Sequence, residues 1–195
     1  MVTIAPAGPK GDVEPPRSRR PLLRRVLAGL LAGGITATSA WAWNWRIHPD
    51  VFPSHGNTMA MPLPSGEDTA MIGVTDMDND PEGGETVTIH AATPRVVKNT
   101  ADATFEFYVC TLPDNGMAVL ALHGRRFAKN CLEPVRLSDG TRLDTSRSAR
   151  QQLVMMIDFH KPGVVTTRGV DLTYSHGYQR GTQAVGTHLR VVSSS

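Results

Sequence analysis

The chain has 195 residues, enough for one ordinary domain and some additional segments, and a formal net charge of +2. That small surplus hides a division. Up to Trp43 there are six Lys/Arg against two Asp/Glu, a net +4, and from Asn44 onward 14 against 16, a net −2. The sequence pI of about 8.7 therefore belongs to the N-terminal segment. The remainder lacks the basic surplus of a nucleic-acid binder, which excludes nucleic acid as a partner.

In chain order, residues 1–25 are polar, proline-containing and basic, a cytoplasmic n-region, while residues 26–43 (VLAGLLAGGITATSAWAW) carry no charge. Trp41, Trp43 and Trp45 follow at the end of this run, and all seven histidines lie beyond it. Basic residues before an uncharged run predict a cytoplasmic N-terminus and an exported remainder. Eighteen uncharged residues reach the lower limit for crossing a bilayer, and the tryptophans fit an aromatic belt at its outer interface. Residues 26–45 are thus expected to be a transmembrane helix or signal h-region. The anchored reading places a single-pass protein in the cell membrane with its domain extracellular.

Ser18-Arg19-Arg20-Pro21-Leu22-Leu23-Arg24 resembles the twin-arginine export motif, with Leu22 and Arg24 where that motif usually has Phe and Lys. The resemblance implies that Arg19 and Arg20 are read by an export machinery. Ala40-Trp41-Ala42 offers an A-x-A site, so the alternative is secretion after cleavage near Ala42. Both readings export the domain.

Residues 46–84 read as a flexible linker, because Pro49, Pro53, Pro62, Pro64 and Pro81 interrupt any period and Gly, Ser and Asp fill the gaps. Such a stretch buries too little apolar surface to offset the entropy of ordering it. Within it, His55, Met59 and Met61 place an imidazole and two thioethers in seven residues, ligands that suit copper. This segment is faintly similar to those of exported copper carriers of the β-sandwich type. That resemblance implies a copper site on these three residues; without it, no cofactor is expected. Asp76-Met77-Asp78-Asn79-Asp80 begins like a calcium loop, but Pro81 and Val87 stand where an EF-hand needs Gly and Glu.

From about Glu85 to Ser195 short alternating segments with turn signals between them predict strands at 86–90, 103–110, 117–123, 132–137, 152–159, 169–174 and 187–192. The inward faces should carry Val87 and Ile89; Phe105, Phe107 and Val109; Leu153, Met155, Ile157 and Phe159; Val170, Leu172 and Tyr174; and Leu189 and Val191. Residues 117–123 form a continuous apolar run, expected of a central strand, and Pro134 suits an edge. The expected fold is all-β, an immunoglobulin-like antiparallel sandwich of about seven strands over residues 85–195.

Cys110 and Cys131 are the only cysteines, 21 positions apart. In an exported domain they are expected to pair, closing a loop worth about 3 kcal/mol in the chain-entropy model. With no C-x-x-C in the chain, a redox-active pair is not expected.

Thr173-Tyr174-Ser175-His176-Gly177 nearly matches G-x-S-x-G, but Thr173 occupies the first glycine position and no helix is predicted to follow, so Ser175 reads as a turn residue. Metalloprotease, dinucleotide and phosphate-loop motifs are absent from the sequence. The chain is accordingly expected to be non-enzymatic, an interaction or structural module at the cell surface. Residues 174–186 are expected to be the loop that meets an unknown protein or cell-wall partner, with Tyr178 and Arg180 as anchors.

The segments 169–174 and 180–183 resemble the closing hairpin of uncharacterised exported proteins of high-GC Gram-positive bacteria. The skew to 16 Arg over 4 Lys agrees. That resemblance spans roughly the last 110 residues and implies no activity.

Overall fold

The strand over Thr104–Thr111 shows how this sequence builds its sheets. Phe107 and Val109 point into one buried cluster with the half-buried Phe105, while Tyr108 and Cys110, on the alternate positions, join a second cluster on the opposite face. A period of two in side-chain direction converts the alternation of residues directly into two faces.

The computed structural model describes residues 39, 41–53, 57–75, 85–113, 121–123, 127–146 and 148–194. The chain divides into two units, Met1–Ala42 and Trp43–Ser195. Ten strands are present among the described residues: β1 (Thr58–Leu63), β2 (Thr69–Gly73), β3 (Thr86–Asn99), β4 (Thr104–Thr111), β5 (Ala121–His123), β6 (Leu132–Arg136), β7 (Thr141–Asp144), β8 (Gln151–Asp158), β9 (Gly163–His176) and β10 (Gln179–Ser193). Residues 41–47 are helical (α1), and Phe127–Asn130 forms a single helical turn (α2).

The strands form two five-stranded sheets, ordered β1-β10-β9-β3-β7 (sheet A) and β5-β2-β8-β4-β6 (sheet B). All pairings are antiparallel except β1 with β10, which run parallel. The main core draws on the inner faces of both sheets, including Val87, Ile89, Val165, Leu172 and Leu189 from sheet A and Ile72, Phe107, Leu153, Met155 and Ile157 from sheet B. The fold is an all-β sandwich, and the inward faces named from the sequence are the buried ones, with Phe105 half-buried.

Three expectations are corrected. The stretch expected to be a flexible linker supplies β1 and β2, and its Phe52, Leu63, Ala70, Met71, Ile72 and Val74 are buried. Its prolines misled because Pro62 sits on an edge strand, where a missing N–H costs no ladder bond on the open side, and Pro53 and Pro64 lie between elements. Residues 76–84 of that stretch lie outside the described residues. Among the described residues there are ten strands rather than about seven, the additional ones being β1, β2 and the short β7.

The apolar run 117–123 was expected to be central, but β5 lies at an edge of sheet B; residues 117–120 are outside the described residues. The central strand is β8, whose consecutive buried residues 152–155 have a cover on both faces. β6, with Pro134 and five exposed residues, is an edge as expected.

Cys110 and Cys131 form a disulfide, with Cα atoms 4.9 Å apart. It anchors α2 over the outer face of sheet B, where Met71, Leu112 and Val154 complete a second apolar cluster and Tyr108 meets Phe127 edge to face at 5.3 Å. Among the described residues, no helix is long and apolar enough to cross a membrane; residues 1–38, with Arg19 and Arg20, lie outside them.

Candidate functional site

The β9–β10 hairpin carries polar networks on both of its faces. Residues 174–186, expected to be a loop, are almost wholly strand: the pairing runs unbroken from Gly181 opposite Tyr174 to Gln179 opposite His176, and only Gly177 and Tyr178 form the turn. Gly177 takes φ +55, as a tight two-residue hairpin turn requires. Tyr178 at the tip is 87% exposed and does not pack on the sheet.

The inner face of this hairpin is covered by the segment that follows α1. Tyr174 is fully buried, and its ring meets Phe52 edge to face at 5.0 Å. The Val51 amide donates to the Tyr174 hydroxyl (3.0 Å), which donates to Gln183 Oε1 (2.6 Å). The Gln183 side-chain amide in turn donates to Asp50 Oδ1 (2.9 Å) and to the Phe52 carbonyl, and Gln179 Nε2 donates to the Trp45 carbonyl (2.9 Å).

Gly181 makes this approach feasible. A Cβ there would stand 2.1 Å from the Ile47 carbonyl oxygen and 2.6 Å from Pro49 Cδ. Burial raises the Tyr174 pKa to about 12, because the anion would lose its water.

The outer face of the same hairpin faces solvent and is organised differently. Ser175 stands in one cross-strand row with Thr88 on β3 and Arg180 on β10. Beside this row the β3–β9 register slips between Ile89 and Ala91, so that His90 is the extra residue of a β-bulge. Bulges re-aim a side chain, and here the imidazole lies over Ser175, with His90 Nε2 2.8 Å from Ser175 Oγ.

The other ring nitrogen, Nδ1, is 2.6 Å from Asp139 Oδ1. Asp139 belongs to the tight turn Ser138–Thr141, closed by Thr141 N to Ser138 O (3.1 Å) and fastened to the bulge by Gly140 N donating to Ile89 O (3.0 Å). A carboxylate only accepts, so Nδ1 carries a proton, and when the ring is neutral Nε2 accepts from the Ser175 hydroxyl. The three side chains form one chain, Ser175 to His90 to Asp139.

The hydrogen bond from His90 holds the Asp139 carboxyl below the usual carboxylate range, with the charge of Arg180 acting in the same sense. His90 is largely covered, with 17% of its side chain exposed, whereas Asp139 is 79% exposed. Nearby, His176 pairs with Glu85 at 3.0 Å.

A surface pocket of about 260 Å³ opens beside the relay, lined by His90 and Ser138 together with Phe105, Glu106 and Arg136. Arg136 pairs with Glu106, which also accepts from the Tyr108 hydroxyl (2.6 Å). That hydrogen bond is the main reason the Tyr108 pKa is raised.

The structure brings Ser175 together with His90, not with its sequence neighbour His176, and puts Arg180 in the same row. It separates the copper candidates from this region: Met59 and Met61 lie on β1, half-buried against the main core, and His55 is outside the described residues.

Sequence reasoning missed His90 and Asp139. Their visible signals were a histidine on the polar face of a strand and an Asp-Gly turn, neither of which indicates a partner 85 or 49 positions away. No protein-family model, curated protein or solved structure matches the chain.

Proposed function

We propose that this is an exported protein whose immunoglobulin-like β-sandwich works as a non-enzymatic interaction module at the cell surface, anchored through residues 26–45 or released after cleavage near Ala42. The observation that carries the reading is the β9–β10 hairpin: an aromatic ring, Tyr178, 87% exposed at the tip of a hairpin whose inner face is fastened by residues 45–52. A large apolar ring held in water on a rigid support costs little ordering entropy when a partner covers it. Arg180, two positions on, adds a planar set of donors that pairs with carboxylate or stacks on a ring.

The test is the double variant Tyr178→Ala/Arg180→Ala. It is expected to melt like the parent, since neither side chain is buried, and to weaken capture of cell-surface or cell-wall material by about 2 kcal/mol, roughly thirtyfold. Unchanged capture, or an unfolded domain, rejects the hairpin tip as the contact. The export half is tested separately, by N-terminal sequencing of the chain recovered outside the cell: a start at Trp43 indicates cleavage, and an intact leader in the membrane fraction indicates the anchor.

A further inference from the structure

We propose that Ser175 is an acyl-accepting nucleophile, activated by His90 and aligned through Asp139, that takes an acyl group from activated carboxylic esters. The inference is independent of partner capture at the hairpin tip. It rests first on geometry: Ser175 Oγ to His90 Nε2 is 2.8 Å, and His90 Nδ1 to Asp139 Oδ1 is 2.6 Å. These are the contacts by which a hydroxyl, a general base and an orienting carboxylate act together.

The arrangement is also built rather than incidental. A β-bulge at His90 turns the ring to the serine, and the Ser138–Thr141 turn is tied to that bulge by the Gly140 amide, which fixes the carboxylate. The pocket of about 260 Å³ shares His90 and Ser138 with the relay and gives the acyl or leaving group a place beside the base.

In the proposed step Ser175 Oγ attacks the carbonyl carbon as its proton passes to His90 Nε2. The new Oγ–C bond forms, the bond from that carbon to the leaving oxygen breaks, and His90 returns the proton to the departing alcohol or phenol. Ser175 ends as an ester. The electrophile class follows from the strand. Ser175 is paired with Thr88 on one side and Arg180 on the other, so its backbone N–H serves the ladder and not a developing oxyanion. Without that stabilisation the chemistry is confined to esters with good leaving groups, and the acyl group is retained. Ser175 is therefore a modification site that reacts once rather than a centre of turnover.

The probe is p-nitrophenyl acetate on the full chain, with acetyl groups mapped by peptide mass spectrometry. Native protein is expected to carry acetyl on Ser175 about a hundredfold above the exposed Ser65 and Ser148 in the same digest. The preference should vanish when the same protein is acetylated in urea, and in the variant His90→Gln.

Reactivity should also fall on acidification, because only the neutral ring accepts a proton; Asp139, Arg180, Arg142 across from Thr88, and the pocket-lining Glu106 and Arg136 are charged groups around it. Asp139→Asn should lower the rate and change the pH at which reactivity is lost, the signature of a positioning role. Ser175 acetylated no faster than Ser65 and Ser148 in native protein overturns the proposal. So does a preference that survives urea, or one unchanged in a His90→Gln protein that melts like the parent.

Discussion

The outer faces of the two sheets are made by the same backbone and put to opposite uses. On sheet B the outer face is sealed: α2 and the Cys110–Cys131 bridge cover Met71 and Val154, and the central strand β8 is buried on both sides. On sheet A the outer face at the hairpin is wet, and the alternate positions carry Thr88, His90, Ser175 and Arg180. Covering a sheet face removes the need for polar side chains there and gives stability. Leaving it open costs that apolar burial but lets hydroxyl, imidazole and carboxylate meet in reach of ligands. The two outer faces thereby differ, while the core between the sheets is shared by both.

The strongest way to break the contrast is to open the sealed face. Replacing both Cys110 and Cys131 by Ala should cost about 3 kcal/mol and lower the melting temperature by roughly 10 °C. It should leave the acetylation preference of Ser175 intact, since the bridge belongs to the other sheet. Calorimetry and probe labelling on one sample check both halves, and a loss of Ser175 reactivity would mean that the two faces are not independent.

Alkaline titration tests the inner side of the hairpin. Tyr174 keeps its proton to about pH 12 in the folded chain, whereas an unfolded tyrosine loses it near pH 10. Between those values the unfolded state binds fewer protons, so the stabilisation present below pH 10 is lost as pH rises, by about 2 kcal/mol. Urea midpoints measured across pH 9–12 should show this decline in the parent and a shallower one in Tyr174→Phe. Equal declines would remove Tyr174 as its source.

A smaller effect is expected from Gly181→Ala. Its methyl group collides with the Ile47 carbonyl and Pro49, but the covering segment can lift instead of straining the sheet, so the loss should be about 1 kcal/mol. Limited proteolysis within residues 45–53 should speed up, and protection equal to the parent would show that the segment does not need the close approach.

The smallest effect is that of Asp139→Asn on stability. The carboxylate contribution is present above the ordinary carboxylate pKa and is lost as pH falls through the lowered folded value. At this exposed position water and salt screen it. Melting at neutral pH should therefore not change measurably while Ser175 reactivity does. A substantial shift in melting would make the relay a structural brace.

The sequence by itself determined which side of each strand is buried, because side-chain direction depends only on a period of two that a few neighbouring residues impose. Phe105, Phe107 and Val109, or Val170, Leu172 and Tyr174, were legible for that reason, and the Cys110–Cys131 pair was legible because no other thiol exists. The tertiary structure alone decided that residues 58–73 join the sheets, since edge-strand prolines and a missing local period conceal strands whose pairing partners lie far away in the chain, at His188 for Thr58 and at Asp158 and His123 for Thr69 and Ala70. It alone brought His90 to Ser175 and Asp139 to His90. Those contacts depend on one extra residue in a ladder and on the register of strands far apart in the chain, and no local pattern encodes where two distant strands come into register.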